Sequence, residues 1–147
     1  MVTLFFVSIG YSQSYDDEVA LIQSIYGMEK KEFVSEFVEF TDEQSTEFWS
    51  IYDEYEVKRK EIGKKRFELI WNYVSDYGQI KAEDADMFMK EAIPLRKNAD
   101  QLVDKYYEKF KHKLDPVVAI QFYQIEVYIS DMIRSELMEE LFITKEE

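Results

Sequence analysis

The stretch from Phe40 to Tyr77 constrains this chain more than any other, because it carries an amphipathic pattern and meets no proline. Read as one helix it holds roughly 36 residues and is about 54 Å long. That exceeds the usual three to four turns of a globular helix. It opens on Phe40-Thr41-Asp42-Glu43-Gln44. Thr41 and Gln44 stand at capping-box spacing, the hydroxyl accepting from a first-turn amide while the glutamine reaches back. Phe40, just before the cap, sits where a hydrophobic staple belongs. The core face then reads Phe48, Tyr52, Tyr55, Ile62, Leu69, Ile70, Tyr73 and Tyr77, a spacing near 3.5. Gly78 offers a left-handed stop.

Composition supports long helices around such a rod. The chain has 147 residues, 46% of them apolar and 16% aromatic, with only four Gly and two Pro. That is one domain with enough apolar surface for a core, and too few turn residues for a many-stranded fold. Acidic residues outnumber basic ones 31 to 18, for a formal charge of −13. Nucleic acid is a poor ligand for such a chain, because phosphate contacts need Lys and Arg. There is no Cys, so disulfides, thiolate metal sites and thiol catalysis are excluded.

The first residues look like an export signal. Met1–Ile9 is apolar but too short to span a membrane. Gly10, Ser12 and Ser14 are small residues suited to processing, so residues 1–14 read as a signal peptide, without the usual positive start. The expectation is a periplasmic or secreted protein with no membrane insertion after processing, and a single helical domain over residues 15–147.

The spacing predicts four helices, over about 16–38, 42–77, 82–113 and 116–140. The first carries Val19, Ile22, Tyr26, Phe33 and Phe37 on one face, with Gly27 weakening its middle. The third carries Phe88, Ala92, Leu95, Ala99, Leu102, Tyr106 and Phe110. Pro94 lies inside it, so either one kinked helix or a break near Ile93 fits. Asp115 caps the fourth and Pro116 takes its first position. Its stripe is Val118, Phe122, Ile125, Ile129, Ile133, Leu137 and Leu141, with Glu126 inside it. The fold class is all-α: long helices in antiparallel hairpins forming an elongated bundle or cradle.

Arg59 and Arg66 interrupt the apolar face of the second helix, within about 20° of Phe48. They either snorkel to water or hold carboxylates on facing helices. Glu126 is the preferred partner for either arginine, in a buried pair that fixes register. Trp49 and Trp71 leave the flank of the same helix by roughly 100–140°. They either cover a neighbouring helix or belong to an open apolar surface that binds protein.

No catalytic constellation is visible. The single histidine, His112, stands among lysines at a helix end, where it suits the negative pole of the dipole. Glu-x-x-His metal pairs and Gly-rich phosphate loops do not occur. The chain reads as a non-enzyme with no catalytic, cofactor or metal residues.

Phe40-Thr41-Asp42-Glu43-Gln44, followed by Phe48-Trp49-x-x-Tyr52-x-x-Tyr55, resembles the LTxxQ-type opening of the bacterial Spy/CpxP-like periplasmic proteins. It looks still closer to an exported helical branch with a Leu-Thr … Phe-Trp-Pro-x-Tyr signature. Leu114-Asp115-Pro116-Val117-Val118, followed by Phe122-Tyr123-Gln124-Ile125-Glu126, looks like a second copy of the motif. Phe40 stands for the first Leu, Asp115 for the second Thr, and Val118 for the second Gln. The resemblance spans about Lys31–Leu141. It implies a four-helix, cradle-like, often dimeric periplasmic protein. It further implies chaperoning of unfolded clients or a brake on an envelope-stress sensor. The alternatives are a module acting on an anti-sigma system, or a purely structural helical protein. A homodimer and a monomeric bundle would bury the same aromatics.

Overall fold

A computed structural model describes residues 29–75, 77–140 and 142–147, with only the backbone given for 136–140. Among these, helix α1 runs Lys30–Phe37, α2 Asp42–Tyr73, α3 Ala82–Lys113 and α4 Pro116–Glu140. Two short strands, β1 (Gln79–Ile80) and β2 (Thr144–Lys145), pair in parallel. The protein is an all-α bundle in which α2 packs on α3 and α3 on α4, with α1 against α4.

Local chemistry sets the starts of the helices. Thr41 Oγ1 accepts from the Gln44 N–H at 3.2 Å, and Gln44 Oε1 accepts from the Thr41 N–H at 3.0 Å, closing the capping box. Phe40 stacks on Phe48 at 4.5 Å and meets Trp49 edge-on, so the staple closes a turn deeper than the fourth position. Asp115 Oδ1 accepts from the Val117 and Val118 N–H groups at 2.8 and 2.9 Å, which caps α4.

The helix ends differ from the sequence expectation in two places. Glu29 is extended, with φ −68° and ψ 152°, so α1 starts at Lys30 and no helix runs through Glu29 from further upstream. The signal segment 1–14 and the earlier part of the expected first helix, Gly27 included, lie outside the described residues. Helix α2 ends at Tyr73 rather than Tyr77. Ser75 takes over the backbone there: its N–H donates to Gln79 O at 2.8 Å and its carbonyl accepts from Gly78 N–H at 2.9 Å. Gly78 is left-handed as expected, at φ 72°, but in this turn rather than as the helix cap. A side chain there would be strained, and its Cβ would lie 3.4 Å from the Phe142 carbonyl.

Helix α3 is continuous through Pro94. Pro94 and Lys90 both face solvent, where water can take the carbonyl that loses its N–H partner. The pairing of β1 with β2 was not foreseen, since two-residue strands leave no periodic trace. Thr144 N–H donates to Gly78 O at 2.9 Å and Glu146 N–H to Ile80 O at 3.0 Å. This ties the residues after α4 to the α2–α3 hairpin end.

The core is lopsided. Val34, Val38, Phe48, Ile51, Tyr52, Tyr55, Val103, Tyr106, Phe110, Val118, Ala119, Phe122, Ile125 and Ile129 form one buried cluster at the capped end. Phe110 and Phe122 lie 4.5 Å apart at ring centres, and Tyr55 meets Phe122 edge-on at 5.1 Å. Towards the hairpin end, Leu69 and Ile80 are buried outside that cluster.

Candidate functional site

The capped half holds a buried polar cluster built from three helices. Tyr52 and Tyr55 are one turn apart on α2 and point at α4. Their hydroxyls donate to Glu126 Oε1 at 2.8 Å and to Glu126 Oε2 at 2.9 Å. Lys30, the first residue of α1, donates from Nζ to Glu126 Oε2 at 2.9 Å and to Glu56 Oε1 at 2.6 Å. Arg59 clasps the same Glu56 with Nε at 2.7 Å and Nη2 at 3.0 Å. The order is therefore Glu126, Lys30, Glu56, Arg59, with two tyrosines closing the inner end.

Glu126 is fully buried, as its place in the α4 stripe predicts, but its cationic partner is Lys30 and not Arg59 or Arg66. Tyr52 and Tyr55 fill the space between α2 and α4, and Lys30 enters from α1. Arg59 turns one helical turn back to Glu56. Arg66 is half-buried, about 16 Å further along the helix axis than Tyr55.

Electrostatics follow from this geometry. Burial pushes the Tyr52 and Tyr55 hydroxyls well above the ordinary tyrosine range, and the Glu126 carboxyl pushes them further, so both remain donors. Burial alone would raise Glu56, but the charges of Lys30 and Arg59 outweigh it and hold the carboxyl down at about 2. A buried carboxylate without partners is expensive, whereas one with both oxygens occupied specifies a register. Lys30 is also 5.6 and 5.7 Å from the ring centres of Tyr52 and Tyr55, within cation–π range.

A second joint connects the two caps. Gln44 closes its own capping box with Oε1 and donates from Nε2 to Asp115 Oδ2 at 3.0 Å. Asp115 is held below the usual carboxylate range by the Val118 N–H first and Gln44 next. The motif pair seen in the sequence is thus one physical unit, in which the cap of α2 touches the cap of α4. Glu39 N–H donates to Gln121 Oε1 at 2.9 Å beside it, which pins the α1–α2 link to α4.

The two tryptophans part company. Trp49 is half-buried against Phe40, Phe48 and Tyr52, with Lys31 of α1 above its ring at 5.3 Å. Trp71 is 74% exposed. Around the hairpin end, Phe67, Tyr77, Met87, Met89 and Ile93 are exposed as well.

Among the described residues no group of three or more His, Cys, Asp or Glu is placed to hold a metal ion. His112 lies on the surface beside Glu108 at 3.5 Å, at the end of α3. Among the described residues no helix is long and apolar enough to cross a membrane. Comparison with protein-family models gives no match, and neither curated proteins nor solved structures give one.

Of the residues singled out in the sequence, the structure brings together Thr41, Gln44, Asp115 and Pro116 at the caps, and Tyr52, Phe122 and Glu126 in the core. Lys30 and Glu56 were missed. The trace that could have revealed them is Tyr52 and Tyr55: buried tyrosines a turn apart need a polar partner, and any carboxylate serving both then needs a cation.

Proposed function

We infer that this chain is an exported, chaperone-like or envelope-stress-related protein that binds protein partners through an extended helical surface. The observation that carries the reading is the crowd of exposed aromatic and methionine side chains at the hairpin end. Phe67, Trp71, Tyr77, Met87, Met89 and Ile93 stand open where α2 and α3 bury little. Aromatic rings supply large contact area at small entropic cost, and Met adapts to irregular partners. Lys64, Lys65 and Glu68 alternate with the apolar residues on α2, so the surface is wetted as well as apolar. The rigid capped half would hold this surface out.

Suppression of aggregation tests the reading. The purified chain at equimolar ratio should delay light scattering by a reduced, unfolding client, and Trp71→Glu with Phe67→Glu should lose most of that effect while keeping helicity. No delay by the wild type, with tight binding to a single membrane-sensor ectodomain, would replace this reading with a regulatory module. Export is tested by fractionation, which should place the chain outside the cytoplasm with its first residues removed.

A further inference from the structure

Helix α1 is held to the bundle differently from the other three. It has 8 residues and no side chain that caps its start. A helix that short does not keep its shape in water by itself, so its helicity depends on being docked. Docking uses one face: Val34 and Val38 are buried and Phe33 packs partly on the core, while Phe37 stays exposed. Lys31 reaches Asp53, but both side chains are more than half in water, and such a pair contributes little. The stronger polar hold is Lys30, whose side chain is 11% exposed and sits between Glu56 at 2.6 Å and Glu126 at 2.9 Å.

Lys30 enters a formed site. Two carboxylates face its charge, and the Tyr52 and Tyr55 rings stand 5.6 and 5.7 Å from its nitrogen. Each carboxylate also has partners that do not come from α1. The Tyr52 and Tyr55 hydroxyls donate to Glu126, and Arg59 donates to Glu56 through two nitrogens. Withdrawal of α1 therefore removes the cation but leaves the cage assembled by α2 and α4, with water free to enter and solvate the carboxylates. The shape of the site suits a compact ammonium, which turns its N–H groups to either carboxylate, and not a planar guanidinium. We propose that Glu56, Glu126, Tyr52 and Tyr55 form a binding site for a primary ammonium on an apolar stem, and that α1 is a releasable strap carrying Lys30 as the occupant from the chain itself. Release opens the seat between α2 and α4 to a lysine side chain from elsewhere, while the rest of the bundle stays folded. The site lies at the capped end and does not depend on client binding at the hairpin end.

Native-state hydrogen exchange on the full chain tests the strap. Amides of residues 34–37 should exchange at least about tenfold faster than those of 48–58, with little dependence on urea, because they open locally. Chemical rescue tests the site. Lys30→Ala should speed exchange at 34–37 by roughly a further tenfold, since it removes two charged hydrogen bonds from the docked form only. Propylammonium, the fragment which that substitution deletes, should restore most of the protection. Tetramethylammonium at the same concentration has no N–H and should not. Should Lys30→Ala fail to fold, the wild type is titrated instead: propylammonium should speed exchange at 34–37 by competing for the seat, and tetramethylammonium should leave it unchanged. Exchange of 34–37 in step with 48–58, at the same urea dependence, overturns the strap. An effect from neither salt, or the same effect from both, overturns the ammonium site.

Discussion

The two ends of this bundle are built from the same helices and are packed very differently. At the capped end, three helices and the short α1 enclose stacked rings and a satisfied buried carboxylate. At the hairpin end, α2 and α3 continue for several turns with Leu69 and Ile80 buried and Trp71 open to water. The cause is local. Among the described residues, the joints that tie the α1–α2 region to α4 sit at the capped end: Gln44 to Asp115, Glu39 to Gln121, and Lys30 to Glu126, with Lys30 also on Glu56. The hairpin end has the β1–β2 pair and the Tyr73–Glu91 hydrogen bond at 3.0 Å. A division of this kind puts stability in one region and leaves the other able to open or bind.

The contrast can be broken at several points. The largest effect is expected for Glu126→Ala, which orphans two buried hydroxyls and one of the contacts of Lys30. Its cost is roughly 3–5 kcal/mol, measured by urea unfolding. Glu146→Ala, on the exposed tail, should change stability by less than about 0.5 kcal/mol. Equal midpoints for the two variants would remove the polar cluster from the account. Leu69→Ala at the hairpin end should cost less than Phe122→Ala in the core, about 2–3 against 3–5 kcal/mol.

Acid should come next. Glu56 sits at about 2 in the folded protein against an ordinary value of 4.5. Its folded form binds protons less readily than the unfolded one, so its contribution is fully present above pH 4.5 and disappears as pH falls towards 2. At its fullest that contribution is about 3 kcal/mol, shared with Lys30 and Arg59. Thermal melts should show the wild type losing stability through this window and Glu56→Gln losing much less. A Glu56→Gln curve parallel to wild type would sink the assignment.

Smaller effects belong to the cap joint. Gln44→Ala and Asp115→Ala should each cost about 1 kcal/mol, and the double variant should cost less than the sum, since the two residues share a hydrogen bond. Strict additivity would mean that the joint contributes nothing. The smallest effect is expected for Trp71→Glu, within about 0.5 kcal/mol of wild type, although it should impair client protection. Hydrogen exchange would sharpen the comparison further, with amides of residues 62–73 exchanging faster than those of 48–58.

Much of this fold is legible in the chain because its rules are local. The limits of α3 and α4, the capping box and the cap at Asp115 depend on groups three or four residues apart. The inward direction of Glu126 follows from the α4 stripe alone. The early stop of α2 was less visible, since it depends on Ser75 exchanging bonds with Gln79 and on a strand that arrives from the far end of the chain. The interior pairing was missed for a similar reason. Arg59 and Glu126 both lie on apolar stripes, and sequence spacing cannot tell that Tyr52 and Tyr55 occupy the gap between them.

By itself, then, the sequence determined where α2, α3 and α4 begin, which faces turn inward and that one carboxylate would be buried, because these are matters of periodicity and capping. Only the tertiary structure decided which cation answers that carboxylate. Lys30 has no periodic mark and lies 96 positions from Glu126. It is brought there because α1 packs against α4 beside α2, and a buried charge binds the nearest donor that the packing delivers.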